Sequence, residues 1–188
     1  MGNRRLSRKR LYQVEKAGVS VDLESGSGIK DAIASATQHR NGQELITEIA
    51  IDLDTSSATI IAGTSATKAI GKSGENAQIT RLTKAKFGQI TEIRCVCVEV
   101  PSGGIADVDL EYHASVKTQG EAVNNAVVAG LDATGKDVSA SVIGASLVSE
   151  TIKDKYLYVV DGTGSGSGAL TGGKLLIYIH GFVAPDDL

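Results

Sequence analysis

The stretch Ile105-Ala-Asp-Val-Asp-Leu-Glu-Tyr112 decides the fold class of this chain. Val108, Leu110 and Tyr112 alternate with Asp107, Asp109 and Glu111, the period of two expected of a strand with one buried and one solvated face. It reads as one wall of a half-exposed antiparallel sheet, with the three acids toward water.

The same period extends outward in both directions. Upstream, Ile49, Ile51 and Leu53 alternate with Ala50 and Asp52, and Thr59-Ile-Ile-Ala62 follows a Ser-rich turn. Ala77-Gln-Ile-Thr-Arg-Leu82 and the long run from Gln89 to Val100 come next, the latter stopped by Pro101-Ser-Gly-Gly104. Downstream, Lys155-Tyr-Leu-Tyr-Val-Val160 and Lys174-Leu-Leu-Ile-Tyr-Ile-His180 flank a segment containing Gly162-Thr-Gly-Ser-Gly-Ser-Gly168. The geometry predicts a hairpin with a long tip. Both flanking runs are apolar at nearly every position, so the pair is expected to be covered on both faces, at the centre of a sandwich or at a subunit contact. Between residues 119 and 148 only a helix from about Glu121 to Ala129, ended by Gly130, is legible. Seven or so short strands separated by turns define an all-β class: an antiparallel β-sandwich or jelly-roll-like body over residues 46–188.

Residues 1–45 read differently, as an extended, partly helical N-terminal arm. Ser7 is placed to cap a helix through Lys16 that Gly18 stops, and Ser27 to cap a second in which Ile29, Ala32, Ile33 and Ala36 fall at helical spacing before Asn41-Gly42. Helices this short are marginal alone, so the arm is expected to gain order by packing on something else. Its first sixteen residues hold Arg4, Arg5, Arg8, Lys9, Arg10 and Lys16 against Glu15. That is +5 on a chain of net charge −3, which leaves −8 on the remainder. Such asymmetry points to docking, and an acidic protein surface is preferred over nucleic acid. A phosphate-tracking arm would be salt-sensitive and sequence-blind, but only Tyr12 is available in it for stacking on bases.

Composition narrows the remaining classes. With 41% hydrophobic and 22% charged residues the 188-residue chain is expected to fold around a real core. No run reaches the roughly 18 apolar residues that span a bilayer, and polar sequence follows the basic start, so neither membrane insertion nor secretion is expected. Cys95 and Cys97 stand two apart on a strand, with Cα atoms nearly 7 Å apart, too far for an easy disulfide. They read as packed, reduced thiols.

The candidate chemical motifs each meet an objection. Ala66-Thr-Lys-Ala-Ile-Gly-Lys-Ser73 resembles a relaxed phosphate-binding loop, but a strand-like Gly74-Glu-Asn-Ala-Gln-Ile-Thr80 follows where the helix should begin. A turn rich in Gly and Lys is the better reading. Asp107, Asp109 and Glu111 share a strand face, where a solvated surface is expected over a cation site. His39, His113 and His180 have no zinc-like spacing, and no nucleophile accompanies them in a recognisable array. No catalytic residue, metal or cofactor is assigned, and an enzyme is not expected.

Three longer segments carry a resemblance: Met1-Gly-Asn-Arg-Arg-Leu-Ser-Arg-Lys-Arg-Leu-Tyr-Gln-Val-Glu-Lys-Ala-Gly18, Ala32-Ile-Ala-Ser-Ala-Thr-Gln-His-Arg-Asn-Gly-Gln43 and Gly173-Lys-Leu-Leu-Ile-Tyr-Ile-His-Gly-Phe-Val-Ala-Pro185. In layout the chain resembles small virion structural proteins of marine tailed bacteriophages. That resemblance implies a capsid decoration or cement protein on the outer surface of the virion, commonly a homotrimer, clamping neighbouring major capsid protein subunits. A head-to-tail or tail-tube subunit is the alternative role, and a glycan- or nucleic-acid-binding module the alternative class. On this reading Arg4, Arg5, Arg8, Lys9, Arg10, Leu11 and Tyr12 bind the partner, while Tyr156, Tyr158, Leu176, Tyr178 and Phe182 form the contact between copies.

Overall fold

The computed structural model describes residues 18–63, 65–103, 107–132, 139–143, 152–162 and 168–183. The helix expected from Ser7 to Lys16 and the seven partner-binding residues from Arg4 to Tyr12 lie outside these residues, as does the middle of the Gly162–Gly168 tip.

The chain is all-β, folded as two antiparallel sheets around one main core. Its strands are β1 (Val19–Ser20), β2 (Ile33–Asn41), β3 (Glu44–Asp52), β4 (Thr80–Arg81), β5 (Gln89–Ser102), β6 (Asp107–His113), β7 (Ala126–Asp132), β8 (Ser139–Ile143), β9 (Tyr156–Asp161) and β10 (Gly172–Phe182). Two single-turn helices, α1 (Ser27–Lys30) and α2 (Lys84–Phe87), interrupt them. The first sheet has the order β1-β2-β3-β10-β5-β8 and the second β4-β9-β6-β7.

Periodicity builds the first sheet. In β3 burial alternates without a break, with Leu45, Thr47, Ile49 and Ile51 inward. Leu175, Ile177 and Ile179 of β10 and Ile93, Cys95 and Cys97 of β5 continue that inner surface across the sheet. The second sheet answers with Val108, Leu110, Leu157 and Val159, and Ile29, Ile60, Ile70, Ile79 and Phe87 from the connections close the core. Burying these branched side chains supplies roughly 1.5–3 kcal/mol each, the main force holding the sheets together.

Three expectations are corrected. The helix over Ile29 to Ala36 stops after one turn at Lys30, and residues 33–41 run instead as β2, paired from Ile33↔Ile51 to Asn41↔Glu44. Pairing with β3 overrides the helical spacing, so the first sheet reaches back to Val19 and position 45/46 falls inside β3. The helix from Glu121 to Ala129 is also absent. Asn124 has φ 63°, in the left-handed region that ends helical progress, and residues 126–132 pair with β6 as β7. Finally, the two apolar runs near the C-terminus do not form a hairpin. β9 lies between β4 and β6, while β10 crosses to the other sheet and sits between β3 and β5.

The coverage expected for that pair holds for one strand only. Leu157 to Asp161 of β9 are all buried, whereas in β10 Leu176, Tyr178 and His180 stand half-exposed on the outside and Phe182 is exposed. One glycine fixes how β10 ends. A Cβ on Gly181 would collide with the Phe87 carbonyl oxygen, so only glycine lets α2 lie against the strand.

Candidate functional site

The outer surfaces of the two sheets differ, and that difference locates the site. Outside the second sheet, Tyr158 and Val160 are roofed by Ala69, Ala77 and Val123 in a small cluster of their own. The roof consists of two segments, residues 67–77 and 115–125, tied by bridges Lys68↔Ala122 and Asn76↔Thr118 and by the Ala77 N–H to the Lys117 carbonyl. Tyr158 is fully buried there. Its hydroxyl accepts from the Lys117 N–H at 2.9 Å and donates to the Ser115 carbonyl at 3.1 Å. Burial pushes its phenol up to about 12. Tyr158 is therefore an internal anchor and is removed from the contact residues. Tyr156, partly buried beside it, has the Arg81 guanidinium 5.7 Å from its ring centre.

Outside the first sheet, none of Ile46, Ala50, Leu176, Tyr178 and Val96 belongs to either buried cluster or is packed against one. Strand register arranges this surface as rows across β3, β10 and β5: Asp52–Lys174–Glu99, Ala50–Leu176–Val96, Glu48–Tyr178–Arg94, Ile46–His180–Glu92 and Glu44–Phe182–Gln89. Three of the expected contact residues, Leu176, Tyr178 and Phe182, thus share one face, with Phe182 at 48% exposure. Within the rows, Lys174 Nζ lies 2.6 Å from Glu99 Oε2 and 3.9 Å from Asp52 Oδ2, an arrangement that raises its pKa. The Arg94 guanidinium stacks 4.7 Å from the Tyr178 ring centre, and His180 Nδ1 stands 3.4 Å from Glu44 Oε1. Glu48 and Glu92 are in no ion pair among the described residues.

Charge on these five rows is unbalanced: five carboxylates, Glu44, Glu48, Asp52, Glu92 and Glu99, against the two cations Lys174 and Arg94. An apolar centre with an acidic surround suits a basic, partly apolar partner. Arg94, Glu48, Glu92, Ile46 and Val96 were not picked out from the sequence. Their signal was the alternation itself, in residues 44–52 and 89–100, which assigns them to the face opposite the core.

The other candidate residues fall elsewhere. Glu111 was expected in water but is buried, its pKa raised by that burial against the opposing backbone N–H groups of Asn124 and Asn125. Irregular pairing of β6 with β7 on both sides of Leu110 and the roof segment over this face account for the change. Asp107 and Asp109 remain partly exposed, and no group of three His, Cys, Asp or Glu suited to a metal occurs among the described residues. His113 Nδ1 is held by the Ser115 N–H at 3.0 Å, and His113 and His180 belong to different sheets. In the phosphate-loop-like segment Lys72 pairs with Asp31 at 3.5 Å, and no helix follows Ser73. Cys95 and Cys97 are buried free thiols, both with raised pKa, chiefly through burial.

One buried carboxylate has no counterpart in the sequence reading. Asp161, at the end of β9, is fully buried, and neither oxygen has a well-aligned hydrogen-bond partner among the described residues. Burial pushes it up to about 7, and the nearby Gly63 amide only tempers the shift.

Comparison with protein-family models, with curated proteins and with solved structures found no match to this chain. Fold and surface together define the class of molecule: a two-sheet β-sandwich with one roofed side and one acidic, aromatic-bearing side that the described residues leave open.

Proposed function

We propose that this chain is a virion structural protein, a capsid decoration subunit that holds neighbouring shell subunits through its basic leader and its open sheet face. The observation that carries the reading is the row Glu48–Tyr178–Arg94 with its apolar neighbour Ala50–Leu176–Val96, on a face the chain leaves outside its own buried clusters while roofing the other. A monomer gains nothing from leaving Leu176, Tyr178 and Phe182 together at the surface, whereas a contact between copies buries them. The leader supplies the second attachment. Arg4, Arg5, Arg8, Lys9 and Arg10 pair with acids on the major capsid protein, each exposed pair worth under about 1 kcal/mol and multiplied by the lattice. The work is mechanical, with no turnover.

The test replaces those five basic residues by Gln in the full chain and measures occupancy on shells isolated from the particle that carries the protein. Occupancy should fall sharply and the remaining binding should lose its salt dependence. Full occupancy at unchanged salt dependence would remove the leader from the account.

A further inference from the structure

The open face and the leader are complementary in sign, and the direction of β1 fixes the end of the sheet at which the described chain begins. β1 pairs antiparallel with β2 through Val19↔Gln38 and Ser20↔Thr37, and Gly18 packs against the His39 ring, where an added Cβ would come within 2.6 Å. The chain therefore enters the sheet from the end at which Gly42 turns β2 into β3, heading inward along the edge.

We infer that, in the protein free of shells, residues 4–14 of one copy dock across the outer face of the first sheet of a second copy, so that the subunits are linked leader to face until the major capsid protein takes up the leader. The inference rests on the reading of that face as a contact surface and names its occupant. Three features of the molecule support it. The leader carries +5 within sixteen residues, and the five rows of the face carry five carboxylates and two cations. Of those carboxylates, Glu48 and Glu92 flank the Tyr178–Arg94 stack and have no ion pair among the described residues. Leu11, Tyr12 and Val14 give the leader an apolar end suited to the Ala50–Leu176–Val96 row. Length is sufficient as well. Seventeen residues reach up to roughly 56 Å when extended, while strands about 4.8 Å apart make the whole six-stranded sheet roughly 24 Å across. A leader-to-face contact is heterologous, so it closes into a ring, a trimer among the options, or continues as a chain.

A charge exchange in the full-length protein tests the inference. One variant reverses the face, Glu48→Lys with Glu92→Lys, and the other reverses the leader, Arg5→Glu with Arg8→Glu and Arg10→Glu. Sedimentation should show wild-type self-association that weakens with salt, and at least about tenfold weaker association for each variant alone. An equal mixture of the two variants should associate again, because the basic leader of the first meets the acidic face of the second. Should the lysine variant fail to fold, Glu48→Gln with Glu92→Gln keeps the test, with weakened association expected.

A wild-type chain that stays monomeric overturns the inference, and if it still occupies shells the proposed function stands without it. Association indifferent to leader reversal also overturns it, and means that face meets face. A mixture that remains dissociated overturns it too, assigning the leader to its own chain or to the shell.

Discussion

Tyr158 and Tyr178 are both outward-pointing tyrosines at the middle of a central strand, yet the molecule treats them oppositely. Tyr158 lies under two laced segments with both hydroxyl functions engaged, while Tyr178 stands half-exposed with an arginine over its ring. Strand chemistry alone does not distinguish them. What does is whether the connections of that sheet are long enough to fold back, and residues 67–77 and 115–125 do so only over the second sheet. The covered aromatic serves the fold, and the proposed function gives the half-exposed one to contact between subunits.

The largest expected effect breaks that comparison directly. Tyr158→Ala should cost about 3–5 kcal/mol, because it opens a cavity under the roof and leaves the Lys117 N–H without its acceptor. Tyr178→Ala, the same change on the open side, should cost under about 1.5 kcal/mol. Chemical denaturation of the two variants at low protein concentration checks both, and equal losses would mean that the faces are equivalent.

The next effect concerns Asp161, on the core side of the roofed sheet. Its folded pKa of about 7 stands above the ordinary aspartate value of 3.8. Between those values the native state holds more protons than the unfolded one, so stability should fall as pH rises from about 4 to 7 and level off above. Asp161→Asn removes the buried charge and should flatten that slope while raising the melting temperature at pH 8. The free-energy gain should be on the order of 2 kcal/mol, below the roughly 4 kcal/mol that three pKa units would imply. Melting curves across pH 4–8 for both proteins provide the check.

Smaller still is the effect on folding of changing the open face itself. Leu176→Glu with Phe182→Glu should shift stability by about 1 kcal/mol or less and yet abolish self-association, separating contact from core. Arg94→Ala is the mildest, at about 0.5–1 kcal/mol for the exposed stack on Tyr178. Sedimentation read beside thermal melting distinguishes these effects from misfolding.

Much of the fold was legible in local pattern. Val108 and Leu110 face the core as their alternation required, Cys95 and Cys97 share a buried face, and the strands over residues 49–53, 89–100, 155–160 and 174–180 exist. What could not be read was non-local. Ile29, Ala32, Ile33 and Ala36 satisfy helical spacing, but a strand at β3 was waiting to pair, and long-range ladders outweigh weak propensity. The two C-terminal strands were recognised and then paired with each other, whereas β10 pairs with residues more than 120 positions earlier. Of the proposed contact residues, Leu176, Tyr178 and Phe182 were found as an apolar run and sorted onto one face only by register. Tyr158 was misassigned for a related reason: the run from Lys155 to Val160 shows an aromatic, but not the loop that covers it.

The most direct measurement is hydroxyl-radical footprinting of the full chain from dilute to concentrated solution. Modification of Tyr178 and Phe182 should fall as copies associate, while Tyr158 stays protected throughout. Labelling of Tyr178 and Phe182 that stays constant while the protein demonstrably assembles would contradict the claim that the open face is where this molecule is held.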